Sequence, residues 1–161
     1  MSEIIVIAHN IRSTYNIGAI FRTCEGFGVS KIIISGYSPY PKTPTDTRLP
    51  HISEKLTAQI HKTALDSENM VPFEHQEVLN LENIKSQGYK IIGLEQDENS
   101  IMLQNYKRPE KIALLLGEEV HGITEEMRSA CDDLIEIPMF GKKESFNVSV
   151  ATGIALYGLV I

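Results

Sequence analysis

The sequence predicts an α/β domain built on a mainly parallel sheet. Three observations carry that expectation. Short β-branched runs alternate along the whole chain with segments of helical apolar spacing. The chain has 161 residues, a length that suits one domain, residues 1–161, with one sizeable core. Its 42% hydrophobic and 22% charged residues lie in the ordinary globular range, which excludes disorder as the main state.

The elements follow in order. EIIVIAH (3–9) is a short apolar run ending in polar residues, and it reads as the first strand. Residues 16–27 place Ile17, Ile20, Phe21, Cys24 and Phe27 at helical spacing, with Asn16 as the expected cap and Gly28 as the stop. KIIIS (31–35) is the second strand. Residues 36–50 hold four of the seven prolines and form a long loop of the kind that is often functional. A short helix over 53–64 and a strand over 71–75 come next. Residues 81–87 form a helix between the cap Asn80 and the terminator Gly88. YKIIGLE (89–95) is a strand, and IALLLG (112–117), the most apolar run, is the central one. Thr124 caps a helix whose first turn carries Glu125 and Glu126, which suits the helix dipole. LIEIPM (134–139) is the last strand.

The final helix, 147–161, is apolar nearly all round. A sheet covers only one side of a helix, so the other side needs a partner. The expected answer is a homodimer with its interface on this helix, Leu156 and Leu159 facing the second copy.

Net charge is −6, so this is not a generally basic nucleic-acid binder. The charge is uneven, +3 over residues 1–62 and −9 over residues 63–161, which is compatible with a basic face on an acidic body. No apolar run is long enough to span a bilayer, and the N-terminus carries no visible signal peptide, so no membrane is involved and the expected compartment is the cytoplasm. Cys24 and Cys131 lack any CxxC spacing and read as free thiols.

Several chemistries are excluded. There is no GxxxxGK[ST] phosphate loop, and Gly26-Phe27-Gly28 lacks the third glycine of a dinucleotide loop and follows a helix instead of opening one. The five histidines are scattered and no metal site is expected. A serine hydrolase would need a GxSxG elbow, which is missing.

In parallel sheets, ligands bind outside the carboxyl ends of the strands. That rule singles out Leu94-Glu95-Gln96, Gly117-Glu118-Glu119 and Pro138-Met139-Phe140-Gly141. Three further stretches attract notice: Asn16 to Arg22, Leu115 to Gly122, and Ile137 to Ala151. Taken singly, each has a plain structural reading as well. Arg22 reads equally as a solvated arginine, the acidic pair as a tight turn, and Ser145 and Asn147 as helix caps.

Taken together, in this order and spacing, the three stretches resemble the motifs of the SpoU branch of the SPOUT RNA methyltransferases. NIGAIFRT resembles the first motif, with Asn16, Gly18 and Arg22. LLLGEEVHGIT resembles the second, with Gly117 and Glu119. IPMFGKKESFNVSVA resembles the third, with Ser145 and Asn147. The resemblance runs from His9 to Tyr157. It implies an α/β domain with a C-terminal trefoil knot, a homodimer, and transfer of a methyl group from S-adenosyl-L-methionine to a ribose 2′-hydroxyl of tRNA or rRNA. It assigns Leu94, Glu95, Gly117, Ile137, Met139, Ser145 and Asn147 to the cofactor. It assigns catalytic roles to Arg22, Asn16, Glu119, Ser145 and Asn147. Arg22 is the key residue, Glu119 holds Arg22 or accepts a proton, and no metal takes part. Each subunit's Arg22 is further suspected of serving the cofactor held by the other.

Phe146 departs from the usual family Leu and alters only packing. No extra RNA-binding domain is expected before residue 3 or after 161, so recognition falls to the domain and its dimer partner, with room for a helper protein in substrate binding. Two alternatives remain: a knotted dimer that binds RNA or S-adenosylmethionine without turnover, and a generic nucleotide-binding domain, against which the missing glycine loops count.

Overall fold

Seven parallel strands form a single sheet in the order β3-β2-β1-β6-β4-β7-β5 in the computed structural model, which describes residues 2–161. The strands are β1 (Glu3–His9), β2 (Lys31–Ser35), β3 (Phe73–Gln76), β4 (Lys90–Leu94), β5 (Ile101–Met102), β6 (Lys111–Leu116) and β7 (Asp133–Glu136). The helices are α1 (Thr14–Gly26), α2 (Pro50–Ala64), α3 (Leu81–Ser86), α4 (Glu125–Ala130) and α5 (Val148–Val160). The expected α/β class holds, and every strand pairing is parallel.

β6 occupies the middle of the sheet, pairing Leu114 with Val6 of β1 on one side and with Ile92 of β4 on the other. Its apolar run is buried on both faces, as a central parallel strand requires. One face of the sheet (Val6, Ile32, Leu114) packs with Phe21 of α1, Ile60 of α2 and Leu156 of α5. The other (Ile5, Ile33, Ala113, Leu115) packs with Ile84 of α3 and Met127 of α4. No helix among the described residues is long and apolar enough to cross a membrane. Both cysteines are free thiols, and burial pushes the Cys131 thiol up to about 11.

Several boundaries differ from expectation. Helix α1 starts earlier, at Thr14, because Ser13 and not Asn16 is the cap: Ser13 Oγ accepts the Asn16 backbone N–H at 3.2 Å. That leaves the Asn16 side chain free for other work. Helix α2 begins at Pro50, whose missing N–H costs nothing in a first turn. Strand β7 ends at Glu136, short of the expected 139. Pro138 has no N–H for a ladder, and the chain runs irregularly to Asn147. The two-residue β5 was too short to read from periodicity.

Gly18 permits close approach of another backbone. A Cβ there would lie 2.3 Å from the Ile60 carbonyl of α2 and 2.1 Å from Thr63 Oγ1. That crossing fixes the start of α1 against α2, reinforced by Thr63 Oγ1 donating to the Tyr15 carbonyl at 2.8 Å.

The orientation of α5 corrects one expectation. Leu156 and Leu159, expected to face a partner, are 0% and 1% exposed and lie in this chain's own core. The outward face carries Val150 and Tyr157, 49% and 60% exposed, beside Ile154 and Phe27, the residue that caps the end of α1. A helix apolar all round gives no phase in its sequence, so only packing reveals which side is covered.

Candidate functional site

The carboxyl ends of β4, β6 and β7 open into a cleft of about 320 Å³, lined by Leu94, Gly117, Ile137, Ser145 and neighbouring residues. That volume lies at the small end of ligand-binding cavities. Apolar walls come from Leu94, Leu116, Ile137, Val148 and Ala151. The charged lining is mainly acidic: Glu95, Glu118, Glu119, Glu136 and Glu144 contribute carboxylates, His121 contributes the one imidazole, and among the described residues no Lys or Arg lines the cleft.

The wall between β6 and α4 is a tight loop. Glu118 and Gly122 exchange backbone hydrogen bonds at 3.2 and 2.8 Å. Glu118 Oε2 also accepts the His121 N–H at 2.7 Å and meets its Nδ1 at 2.8 Å, which holds the Glu118 carboxyl below its ordinary range. Gly122 has φ +69°, a left-handed conformation that favours glycine. Glu95 fastens this loop to β4: its Oε2 accepts the Ile123 N–H at 2.8 Å, and its Oε1 accepts the Gln96 N–H at 3.1 Å. Glu95 thus lines the cleft while spending both oxygens on backbone donors.

Gly117 is needed for a reason the sequence did not reveal. A Cβ at 117 would lie 2.4 Å from both Gly122 C and Ile123 N. The close approach is to the loop's own return strand, so a side chain collides with backbone before it reaches any ligand.

Three sequence stretches meet at one hydrogen-bonded chain. Asn147 Nδ2 donates to Asn16 Oδ1 at 3.2 Å, and Asn16 Nδ2 donates to Glu119 Oε1 at 3.3 Å. Glu119 further accepts the Ser13 N–H at 3.3 Å and the Arg12 N–H at 3.1 Å. Asn147 also caps α5, accepting the Ser149 N–H at 2.9 Å. The start of α1, the β6 loop and the start of α5 are therefore tied together by two amides and one carboxylate.

Partial burial opposes ionisation of Glu119. The Arg12, Glu119 and Ser13 N–H groups and the Asn16 amide outweigh that cost and hold its carboxyl below the ordinary range. A carboxyl depressed on folding contributes stability above its unfolded value, about 4.3, and loses it as pH falls through the lower folded value. Glu119→Gln is therefore expected to lower the thermal midpoint most above about pH 5, with the gap to wild type narrowing in acid. A gap independent of pH would show that ionisation of Glu119 does not hold the loop.

The remaining residues named from sequence fall in different places. Ser145 is exposed, lines the cleft and is not a helix cap. Met139 and Asn147 are not among the lining residues. Arg22 is exposed, pairs with no carboxylate among the described residues, and lies with Thr23, Phe27, Ser149, Val150 and Tyr157 on the outer side of α1 and α5. The expectation that Glu119 holds Arg22 is corrected: within this chain the Glu119 carboxylate is taken by the backbone of Arg12 and Ser13 and by Asn16. The role of Arg12 and Ser13 was not legible, because backbone N–H donors carry no residue signature. Away from the cleft, His61 Nδ1 meets Glu68 Oε1 at 2.6 Å with Asp66 nearby, and that partner raises the histidine above its usual range.

Fold and site define a doubly covered parallel-sheet protein with an acidic cleft at the carboxyl ends of β4, β6 and β7. The chain belongs to the SpoU rRNA Methylase family, whose profile matches residues 3–157. It is 31% identical over 155 residues to a tRNA (guanosine(18)-2′-O)-methyltransferase of Aquifex aeolicus, covering 96% of this chain and 67% of that protein. It is 30% identical over 161 residues to the 23S rRNA (guanosine-2′-O-)-methyltransferase RlmB of Vibrio vulnificus, covering 99% of this chain and 59% of that one. The crystal structure of the A. aeolicus TrmH/SpoU tRNA modifying enzyme superposes with a TM-score of 0.79 at 26% identity, covering 99% of this chain and 74% of the other. The chain thus spans about three fifths to three quarters of these relatives.

Proposed function

We propose that the protein transfers a methyl group from S-adenosyl-L-methionine to a ribose 2′-hydroxyl of tRNA or rRNA. The observation that carries this reading is the Asn147–Asn16–Glu119 chain, which unites the three family motifs beside the cleft. The two relatives compared are ribose methyltransferases by name, one acting on tRNA and one on 23S rRNA.

The cleft suits the cofactor. Leu94, Leu116 and Ile137 offer apolar walls for an adenine, and five carboxylates suit a ligand with cationic sulfonium and ammonium groups. When bound, S-adenosylmethionine supplies a methyl carbon open to in-line attack. The chain's own residues must place the 2′-oxygen and manage its proton. Glu119 is poorly suited to accept that proton, since backbone donors hold it ionised and occupy its oxygens. Its task is to fix the start of α1. Ser145, on the cleft wall, orients cofactor and ribose through a neutral hydrogen bond, while Asn147, outside the lining and bonded to Asn16 and Ser149, positions the starts of α1 and α5.

Arg22 grips the phosphate next to the target ribose, bidentately, and steadies charge that develops on the 2′-oxygen. A guanidinium keeps its proton, so it acts as donor and not as base. Among the described residues no Lys or Arg lines the cleft, its His121 is taken by Glu118, and Arg22 lies outside it. Two copies of the chain solve this if the Arg22 of one serves the cleft of the other. The face around Arg22 is also the uncovered apolar one, with Phe27, Val150, Ile154 and Tyr157. We therefore read the protein as a homodimer joined through α1 and α5.

The same reading places the trefoil knot of the family in the irregular stretch from Ile137 to Asn147 and the helix that follows. We read the protein as acting on RNA in the cytoplasm, and its overall acidity leaves room for a helper protein in RNA binding.

Calorimetric titration with S-adenosylmethionine, followed by transfer of labelled methyl to RNA, tests the function. Binding with transfer is expected; binding without transfer would favour a non-catalytic family member. Light scattering tests the dimer. Wild type is expected at twice the chain mass, and Tyr157→Glu or Val150→Glu as folded monomers, because each would bury an unpaired carboxylate at the joint. Leu156→Glu is expected to unfold the chain instead. A wild-type monomer at micromolar concentration would contradict the interface.

A further inference from the structure

The stretch from Ile137 to Asn147 contains the most exposed large apolar side chain of the described residues, Phe140, at 95%. An apolar ring held in water has an unfavourable hydration cost and usually marks a contact surface when other features converge on it. Three do so here. Phe140 sits in the stretch that joins the cleft residue Ile137 to the cleft residues Glu144, Ser145 and Phe146. Lys142 and Lys143 follow within three residues, both exposed. Neither pairs with a carboxylate among the described residues.

The charge pattern says what such a surface receives. Inside, the cleft presents Glu95, Glu118, Glu119, Glu136 and Glu144, which repel a phosphate. Along the Ile137–Asn147 stretch, cations appear only at Lys142 and Lys143, two and three residues after Phe140 in the chain. Aromatic rings interleaved with lysines are the general means of holding an unpaired nucleotide: the base stacks on the ring and the phosphates meet the cations. The same stretch of a second copy fits less well, since a symmetric contact would bring four lysines together.

We propose that Phe140, Lys142 and Lys143 form a stacking platform for one unpaired nucleotide of the RNA, at the rim of the cleft. The base lies on the Phe140 ring and its flanking phosphates contact the lysines. The platform rests on the reading of the protein as an RNA ribose methyltransferase. It adds a substrate preference: the target ribose lies in or next to an unpaired segment, such as a loop, and not within a continuous helix. Phe140 is a positioning residue and touches neither cofactor nor the reacting oxygen.

The sequence contains no tryptophan, so Phe140→Trp installs a single indole at the platform. Total tRNA and purified 23S rRNA are the probes. Indole emission is expected to be quenched on addition of RNA, with the midpoint seen by filter binding. Phe140→Ala is expected to bind RNA about 10- to 100-fold more weakly while keeping wild-type cofactor affinity and wild-type mass by light scattering. Replacing both lysines with alanine is expected to reduce the slope of log affinity against log salt by about 1.5. Unchanged emission while RNA binds, or wild-type RNA affinity in Phe140→Ala, overturns the platform and leaves the methyl-transfer reading intact. A change of mass in Phe140→Ala also overturns it, assigning the ring to a contact between copies. Quenching by RNA without methyl transfer upholds the platform and removes the functional reading. If wild type binds neither RNA, both fall.

Discussion

Arg22→Ala is expected to bind S-adenosylmethionine as wild type does and to lose about 10²- to 10³-fold in turnover. The first half follows from position: Arg22 lies on the outer side of α1 with Ser149 and Val150, and no part of it lines the cleft. The second half follows from chemistry. Removing a preorganised donor from the reacting oxygen and its phosphate removes stabilisation made in the transition state. The fold should not suffer, since the side chain is exposed and makes no ion pair among the described residues. Lysine at 22 should restore only part of the rate, because a point charge does not reproduce a bidentate grip. Near-normal turnover in Arg22→Ala would remove this residue from the mechanism.

Gly117→Ala is expected to abolish cofactor binding. The added methyl would stand 2.4 Å from Gly122 C and Ile123 N and 2.8 Å from Gly122 O, all backbone atoms that no rotamer change can move. The 117–122 loop must open, and Glu95 then loses the Ile123 N–H that it holds at 2.8 Å. The expected cost to stability is about 1–3 kcal/mol, enough to lower the melting point without unfolding the sheet. Gly141→Ala is the matched control, since a Cβ there meets nothing within 4 Å. Cofactor affinity within threefold of wild type in Gly117→Ala would show that the loop does not shape the cleft. The two variants also test sharing between subunits. If Arg22 acts across the dimer, co-expressed Arg22→Ala and Gly117→Ala chains form mixed dimers with one intact site, and activity partly returns. If each chain keeps its own site, mixing restores nothing.

The sheet was legible because buried parallel strands such as KIIIS and IALLL have a composition that few other elements share. The caps Asn80 and Thr124 were legible for the same local reason, and each accepts the expected N–H. Asn16 misled because Ser13, Thr14 and Asn16 all suit a cap, and only the backbone decides among them. Its side chain proved to be the link between Glu119 and Asn147, a contact between residues more than a hundred positions apart. The phase of α5 was hidden because apolar residues fill every face. Leu156 and Leu159 went into the core, and Val150 and Tyr157 were left outside. The resemblance marked Gly117 as a cofactor position, whereas the close approach that demands glycine is to Gly122 and Ile123 of the same loop, and a loop folding back on itself leaves no periodic trace.

Nucleoside analysis after methyl transfer bears on ribose methylation most directly. The purified chain would be incubated with methyl-labelled S-adenosylmethionine and total cellular RNA, and the RNA digested completely to nucleosides. Label is expected in 2′-O-methylated nucleosides, at a site within or next to an unpaired segment, and is expected to vanish with Arg22→Ala. Label confined to methylated bases, or RNA left unlabelled by a preparation that binds both cofactor and RNA, would contradict ribose 2′-O-methyl transfer by this cleft.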